Sequence, residues 1–169
     1  MKTVLMIIAP ENFRDEELFH TKEELEKAGF SVKIASKQRG IRTGKLGAKA
    51  EAEFELSELQ VDDYDAVVFV GGPGAAQYFT DKEALEIARK AHETGKVLAA
   101  ICIAPVILGN AGLLSGRKVT AWPSVRSKLE ELGAVYTGKG VEVDGKIITG
   151  NGPDAARDFG RKIAELLGA

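Results

Sequence analysis

Runs of apolar, often β-branched residues alternate with stretches of helical period along most of the chain, and turn residues separate them. Val4 to Ile8 is an unbroken apolar run that stops at Pro10-Glu11-Asn12, which predicts a strand buried on both faces. Asp15 to Ala28 follows as a helix, with Leu18, Thr21, Leu25 and Ala28 on one stripe and Gly29 as its stop. Ser31 to Ala35 predicts a second strand. Gly40 to Leu56 places glycines and alanines between charges and alternates weakly around Phe54, the pattern of a hairpin excursion. Ala66 to Val70 is a third strand and ends in Gly71-Gly72-Pro73-Gly74. Beyond it the pattern predicts a helix over Lys82 to Glu93, a strand over Lys96 to Ile101 and a short helix over Pro105 to Ala111. Val119 to Ala121 reads as a short strand and Val125 to Leu132 as a helix. Val141 to Ile148 reads as a hairpin turning at Asp144-Gly145, and Asp154 to Leu167 as a closing amphipathic helix.

Strand-helix alternation of this kind predicts an α/β protein, with a mainly parallel, doubly wound sheet and helices on both faces. No repeat, low-complexity tract or linker interrupts residues 1–169, so one domain is expected. A folded chain of this length hides roughly 70% of the surface its unfolded form exposes, enough to need no metal or disulfide staple. Hydrophobic residues at 44% and charged residues at 28% fit a globular chain. The formal net charge is −2, with no dense Lys/Arg run, and Arg117-Lys118 and Lys37-Gln38-Arg39 read as solvated loop charges; no nucleic-acid partner is expected. One cysteine cannot make an internal disulfide, and the apolar run after Met1 is too short for a membrane span and lacks a cleavage signature. The expected setting is cytoplasmic, without a membrane partner.

The chemistry is expected where parallel strands end. At Ala100-Ile101-Cys102-Ile103-Ala104-Pro105 a buried strand meets a helix start with almost no loop. Ala100 and Ala104 hold the small-residue places that a nucleophile elbow needs on either side of its reactive residue, and Pro105 suits a first helical turn. A thiol at a helix start is expected to ionise below its ordinary value of about 8.5. Gly71 and Gly72 leave backbone N–H groups uncovered, so the N–H groups of Gly72 and Ile103 are candidate oxyanion donors. In Asp15-Glu16-Glu17 two carboxylates are expected to do no more than favour the helix N-terminus, while Glu17 adjoins the buried stripe and is placed to turn inward. Of the two histidines, His92 reads as surface and His20 as a structural residue, with a place in a subunit contact or near the pocket mouth as its alternative. Without a Cys, His and carboxylate cluster no metal site is expected, and the turn Ala9-Pro10-Glu11-Asn12 after the first strand is no dinucleotide fingerprint, so no cofactor is expected either.

The elbow at Cys102, the Val70-Gly71-Gly72 turn and the acidic first helix resemble the ThiJ/PfpI superfamily, which includes intracellular PfpI-type proteases and the parkinsonism-associated protein deglycase. Further matching stretches run from Ala35-Ser36 through Thr43-Gly44-Lys45 and Leu114-Ser115-Gly116 to Gly152-Pro153. The resemblance implies a flavodoxin-like three-layer sandwich and a homodimer or a hexamer of dimers. It implies Cys102 as nucleophile, Glu17 as its hydrogen-bonded acid, Gly72 and Ile103 as backbone oxyanion donors, and Gly71 and Trp122 in the pocket. Two departures stand out. The protease branch has a histidine directly after the nucleophile, where this chain has Ile103, and the other branch has one where this chain has Trp122. Neither side chain can accept a proton, so peptide hydrolysis lacks its base. The expected activity is that of a glyoxalase- or deglycase-like hydrolase on small reactive carbonyls or their protein adducts. The alternatives are a cysteine redox sensor or stress-protective protein without turnover and, behind these, a peptidase or a flavodoxin-like nucleotide binder.

Overall fold

The computed structural model describes residues 2–169. Its main sheet begins with β1 (Thr3–Ile8), whose residues Val4 to Ile8 are wholly buried, as expected of a central strand covered on both faces. Parallel to it lie β3 (Ser31–Ser36) on one side and β7 (Ala66–Phe69) on the other; β8 (Val97–Ile101) and β12 (Ile147–Gly150) continue the sheet beyond β7. Taken in chain order, these five parallel strands lie 2-1-3-4-5 across the sheet, the flavodoxin-like order. β6 (Phe54–Glu55) adds a parallel edge beside β3, and β11 (Val141–Asp144) an antiparallel edge beside β12. The β11–β12 turn centres on Gly145 and Lys146, with Gly145 at φ 62° and Asp144 still paired with Ile147.

Alternation along the central strands divides the interior into two cores. Leu5, Ile7, Val67, Phe69, Leu98 and Ala100 face α2 (Lys82–Glu93) and α3 (Pro105–Asn110). Val4, Met6, Ile8, Val68, Ala99 and Ile101 face the opposite layer, where α1 (Asp15–Lys27) packs on α5 (Ala156–Leu166). This is the expected three-layer sandwich.

Differences from expectation concern short elements. Glu11–Phe13 forms β2, which pairs with the hairpin of β4 (Gly40–Gly44) and β5 (Lys49–Ala52) in a separate three-stranded sheet. The expected strand at Val119 to Ala121 is β9 (Lys118–Val119), paired with β10 (Val135–Tyr136) outside the main sheet. A 3₁₀ turn at Pro123–Val125 precedes α4 (Arg126–Glu131). Among the described residues no helix is long and apolar enough to cross a membrane.

Candidate active site

The site is built at the carboxyl ends of β1, β7 and β8. β8 ends at Ile101, and the chain reverses at Cys102 into Pro105 of α3. Cys102 sits at φ 65°, a left-handed conformation that few side chains adopt outside strained or functional turns. Its backbone is tied on both sides: its N–H donates to the Gly150 carbonyl at 2.9 Å, and its carbonyl accepts from the Trp122 N–H at 2.8 Å.

Glu17 lies in the first turn of α1, and the packing of α1 on the sheet drives it inward. It is fully buried, and neither carboxyl oxygen has a hydrogen-bond partner among the described residues. Gly71 is what lets this carboxyl and the sulfur meet. A Cβ there would stand 2.5 Å from Cys102 Cβ, from Glu17 Oε1 and from the Ile101 carbonyl oxygen. Gly72, at φ 101°, continues the turn, and its backbone amide and that of Ile103 are near enough to Cys102 to favour the charged form of the sulfur.

Burial dominates the electrostatics. It pushes the Glu17 carboxyl up to about 8, against the opposing influence of the nearby Cys102 thiol and the Gly71 amide. Burial likewise pushes the Cys102 thiol up to about 12, with the facing Glu17 charge second, and the Gly72 and Ile103 N–H groups acting in the opposite direction. This corrects the depressed thiol expected from a helix start: α3 is only six residues long, and the sulfur is withdrawn from water beside an acid. At neutral pH Glu17 holds its proton, so no Glu17 charge then opposes ionisation of the sulfur.

The pocket over the sulfur has a volume of about 200 Å³ and is lined by Glu17, Gly72, Cys102, Ile103 and Trp122, together with Arg14, Lys45, Pro73, Ser124 and Pro153. The candidate residues therefore converge, with Gly71 beneath the floor. Trp122 is 46% exposed at the mouth, against Gly152. Neither His20 nor His92 lines the pocket. Arg14 and Lys45 escaped the reading of the sequence, since Arg14 looks like a helix-start residue and Lys45 belongs to a hairpin remote along the chain. Asp15 and Glu16 also have definite partners. Asp15 accepts from the Leu46 and Ala48 N–H groups at 2.9 and 2.8 Å, and Glu16 binds Arg14 through two hydrogen bonds that hold its carboxyl down at about 2. A larger open depression of about 760 Å³ between α2 and the 3₁₀ turns at Leu56–Glu58 and Val61–Asp63 shares no residue with this pocket.

A flavodoxin-like sandwich with a cysteine on a strand-to-helix elbow, facing a sealed carboxyl across a glycine, defines a narrow class of α/β proteins. The chain belongs to the DJ-1/PfpI family, whose model matches residues 2–166. It is 40% identical over 167 residues to Uncharacterized protein MJ0967 of Methanocaldococcus jannaschii, covering 97% of this chain and 82% of that one. It is 32% identical over 163 residues to Deglycase PfpI of Pyrococcus furiosus, covering 96% and 98%. The crystal structure of a ThiJ/PfpI domain protein from Brachyspira murdochii superimposes with a TM-score of 0.96 at 33% identity, covering 98% and 95%.

Proposed function

We propose that this protein is a deglycase-like hydrolase acting on small reactive carbonyls such as 2-oxoaldehydes, or on their adducts with protein side chains. The observation that carries the reading is the unpartnered, fully buried Glu17 carboxyl set against Cys102 across Gly71. An acid that titrates near neutrality is suited to giving and taking a proton in one turnover. Relatives named as deglycases, among them those of Pyrococcus abyssi and Thermococcus kodakarensis at 32% identity, agree with it.

A thiol whose pKa is raised is no standing thiolate, so its proton leaves as the sulfur attacks. Cys102 Sγ adds to the aldehyde carbon and the C=O π bond opens. Glu17 gives its proton to the new oxygen and takes the proton of the thiol, which yields a neutral hemithioacetal. The Gly72 and Ile103 N–H groups steady the developing oxyanion. The protonated Glu17 then gives its proton to the C2 carbonyl oxygen, and the carboxylate so formed takes the proton from C1, which leaves an enediol. Glu17 returns that proton to C2 and takes the C1 hydroxyl proton, so it ends protonated as it began. C1 is thereby oxidised to a thioester and C2 reduced to an alcohol, and water releases a 2-hydroxy acid and restores the thiol. No outside oxidant is consumed. The assembly that accompanies this reading is a homodimer or a hexamer of dimers, which light scattering distinguishes.

The redox-sensor alternative rested on a depressed thiol pKa, and burial works against that. The peptidase alternative has no imidazole in the pocket. Methylglyoxal consumption by the wild type, Cys102→Ser and Glu17→Gln tests the proposal. Cys102→Ser is expected to abolish turnover and Glu17→Gln to slow it by about 10²- to 10⁴-fold, the range of a lost general acid–base. Equal rates in all three end the reading.

A further inference from the structure

Two charges on the pocket wall have no part in the chemistry above. Arg14 gives its Nε and Nη2 to Glu16 at 2.8 and 2.9 Å, and its Nη1 has no acceptor among the described residues. Lys45 has no carboxylate within ion-pair distance among the described residues. Its side chain is exposed, but its backbone is anchored. The Lys45 N–H donates to the Phe13 carbonyl at 2.9 Å, and Asp15 grips the next turn through Leu46 and Ala48. A Cβ at Gly44 would lie 2.5 Å from Asp15, so this strap rests directly on the start of α1. Against the two cations the pocket wall presents one carboxyl, Glu17, which keeps its proton up to about pH 8. Glu16 offsets Arg14, and Asp154 lines an adjoining cleft that shares Arg14, Trp122 and Pro153 with this pocket, on the Arg14 side and without Lys45 in its lining. Lys45 is left as an unbalanced positive charge over a neutral floor. At about 200 Å³ the pocket is also below the roughly 300–1,000 Å³ that holds drug-sized ligands.

We propose, building on the carbonyl chemistry above, that the pocket selects small carbonyl compounds bearing an anionic group, a carboxylate or a phosphate, held between Arg14 and Lys45 while Cys102 meets the carbonyl carbon. The covalent step is the addition already described: the S–C bond forms, the C=O π bond opens, and the thiol proton reaches the oxygen through Glu17. Substrate charge thereby sets orientation as well as affinity, because the anion fixes which end of the molecule faces the sulfur.

Two alkylating agents of nearly equal size read this out on the sole cysteine. Iodoacetate is an anion and iodoacetamide is neutral, and the ratio of their rates at Cys102 cancels the thiolate fraction. The ratio is expected to be about tenfold higher in the wild type than in Lys45→Met, a factor that corresponds to about 1.4 kcal/mol. It should collapse in 1 M salt, where the screening length is about 3 Å. Lys49→Met, which removes an exposed charge hydrogen-bonded to Thr43, should keep the wild-type ratio. An equal ratio in wild type and Lys45→Met overturns the proposal, as does an equal fall in Lys49→Met, which would mark a diffuse field. Inorganic phosphate and acetate at matched ionic strength should raise the wild-type melting temperature more than that of Lys45→Met, and the stronger of the two identifies the group. No stabilisation by either overturns the proposal even if neither reagent labels the sulfur. These readouts need no turnover, so methylglyoxal activity and anion selection can fail separately.

Discussion

Gly71 carries the tightest constraint on a single residue. A methyl group there meets Cys102, Glu17 and the Ile101 carbonyl at 2.5 Å, and two of these three contacts belong to groups with nowhere to retreat. Gly71→Ala is expected to cost about 1–3 kcal/mol, the range for forced overpacking, and to abolish turnover; urea midpoints and the methylglyoxal assay measure the two effects. Glu17 pays for its placement in stability. Its pKa is raised from 4.5 unfolded to about 8 folded, so between these values the native state binds the extra proton and stability falls as pH rises through the window. Glu17→Gln removes that dependence. It should melt higher than the wild type at pH 8 and converge with it towards pH 4.5, with a gap of a few kcal/mol, each pK unit being about 1.36 kcal/mol. A gap that does not change with pH would show that the carboxyl is ionised in the folded protein.

At the scale of elements, the strap between β4 and β5 depends on Asp15. Replacing Asp15 with Ala leaves the Leu46 and Ala48 N–H groups without their acceptor. Hydrogen bonds to charged groups contribute about 1.5–3 kcal/mol each. Asp15→Ala should therefore lose hydrogen-exchange protection at those two amides, while Ile7 and Val68 in the central strands keep theirs. The same element shows what the sequence could convey. The elbow was legible because a buried run, two alanines and Pro105 stand within six positions, and Glu17 because it borders the stripe that begins at Leu18. Lys45 was not, because it reaches the pocket through tertiary hydrogen bonds to Phe13 and the Asp15 turn. The two-residue strands β6 and β9 are too short for any period to register. The thiol's ionisation is hidden from the sequence for a related reason: a helix start is local, whereas desolvation depends on everything packed around the sulfur.

The whole molecule rests on one sheet with a separate core on each face. Ile107 on α3 and Ile163 on α5 are fully buried in opposite cores and share no partners across the sheet. Ile107→Val and Ile163→Val should each cost about 0.5–1.5 kcal/mol, and the double variant should equal their sum within about 0.5 kcal/mol. A larger discrepancy in denaturant melts would show that the two layers sense each other through the strands. The sheet has a further effect on the sulfur. Because Cys102 is bonded to Gly150 through its N–H and to Trp122 through its carbonyl, it cannot swing outward on a moving loop. The sulfur therefore stands at one fixed point on the pocket floor, and any reagent must bring its own reacting atom to that point rather than wait for the thiol to come out to meet it.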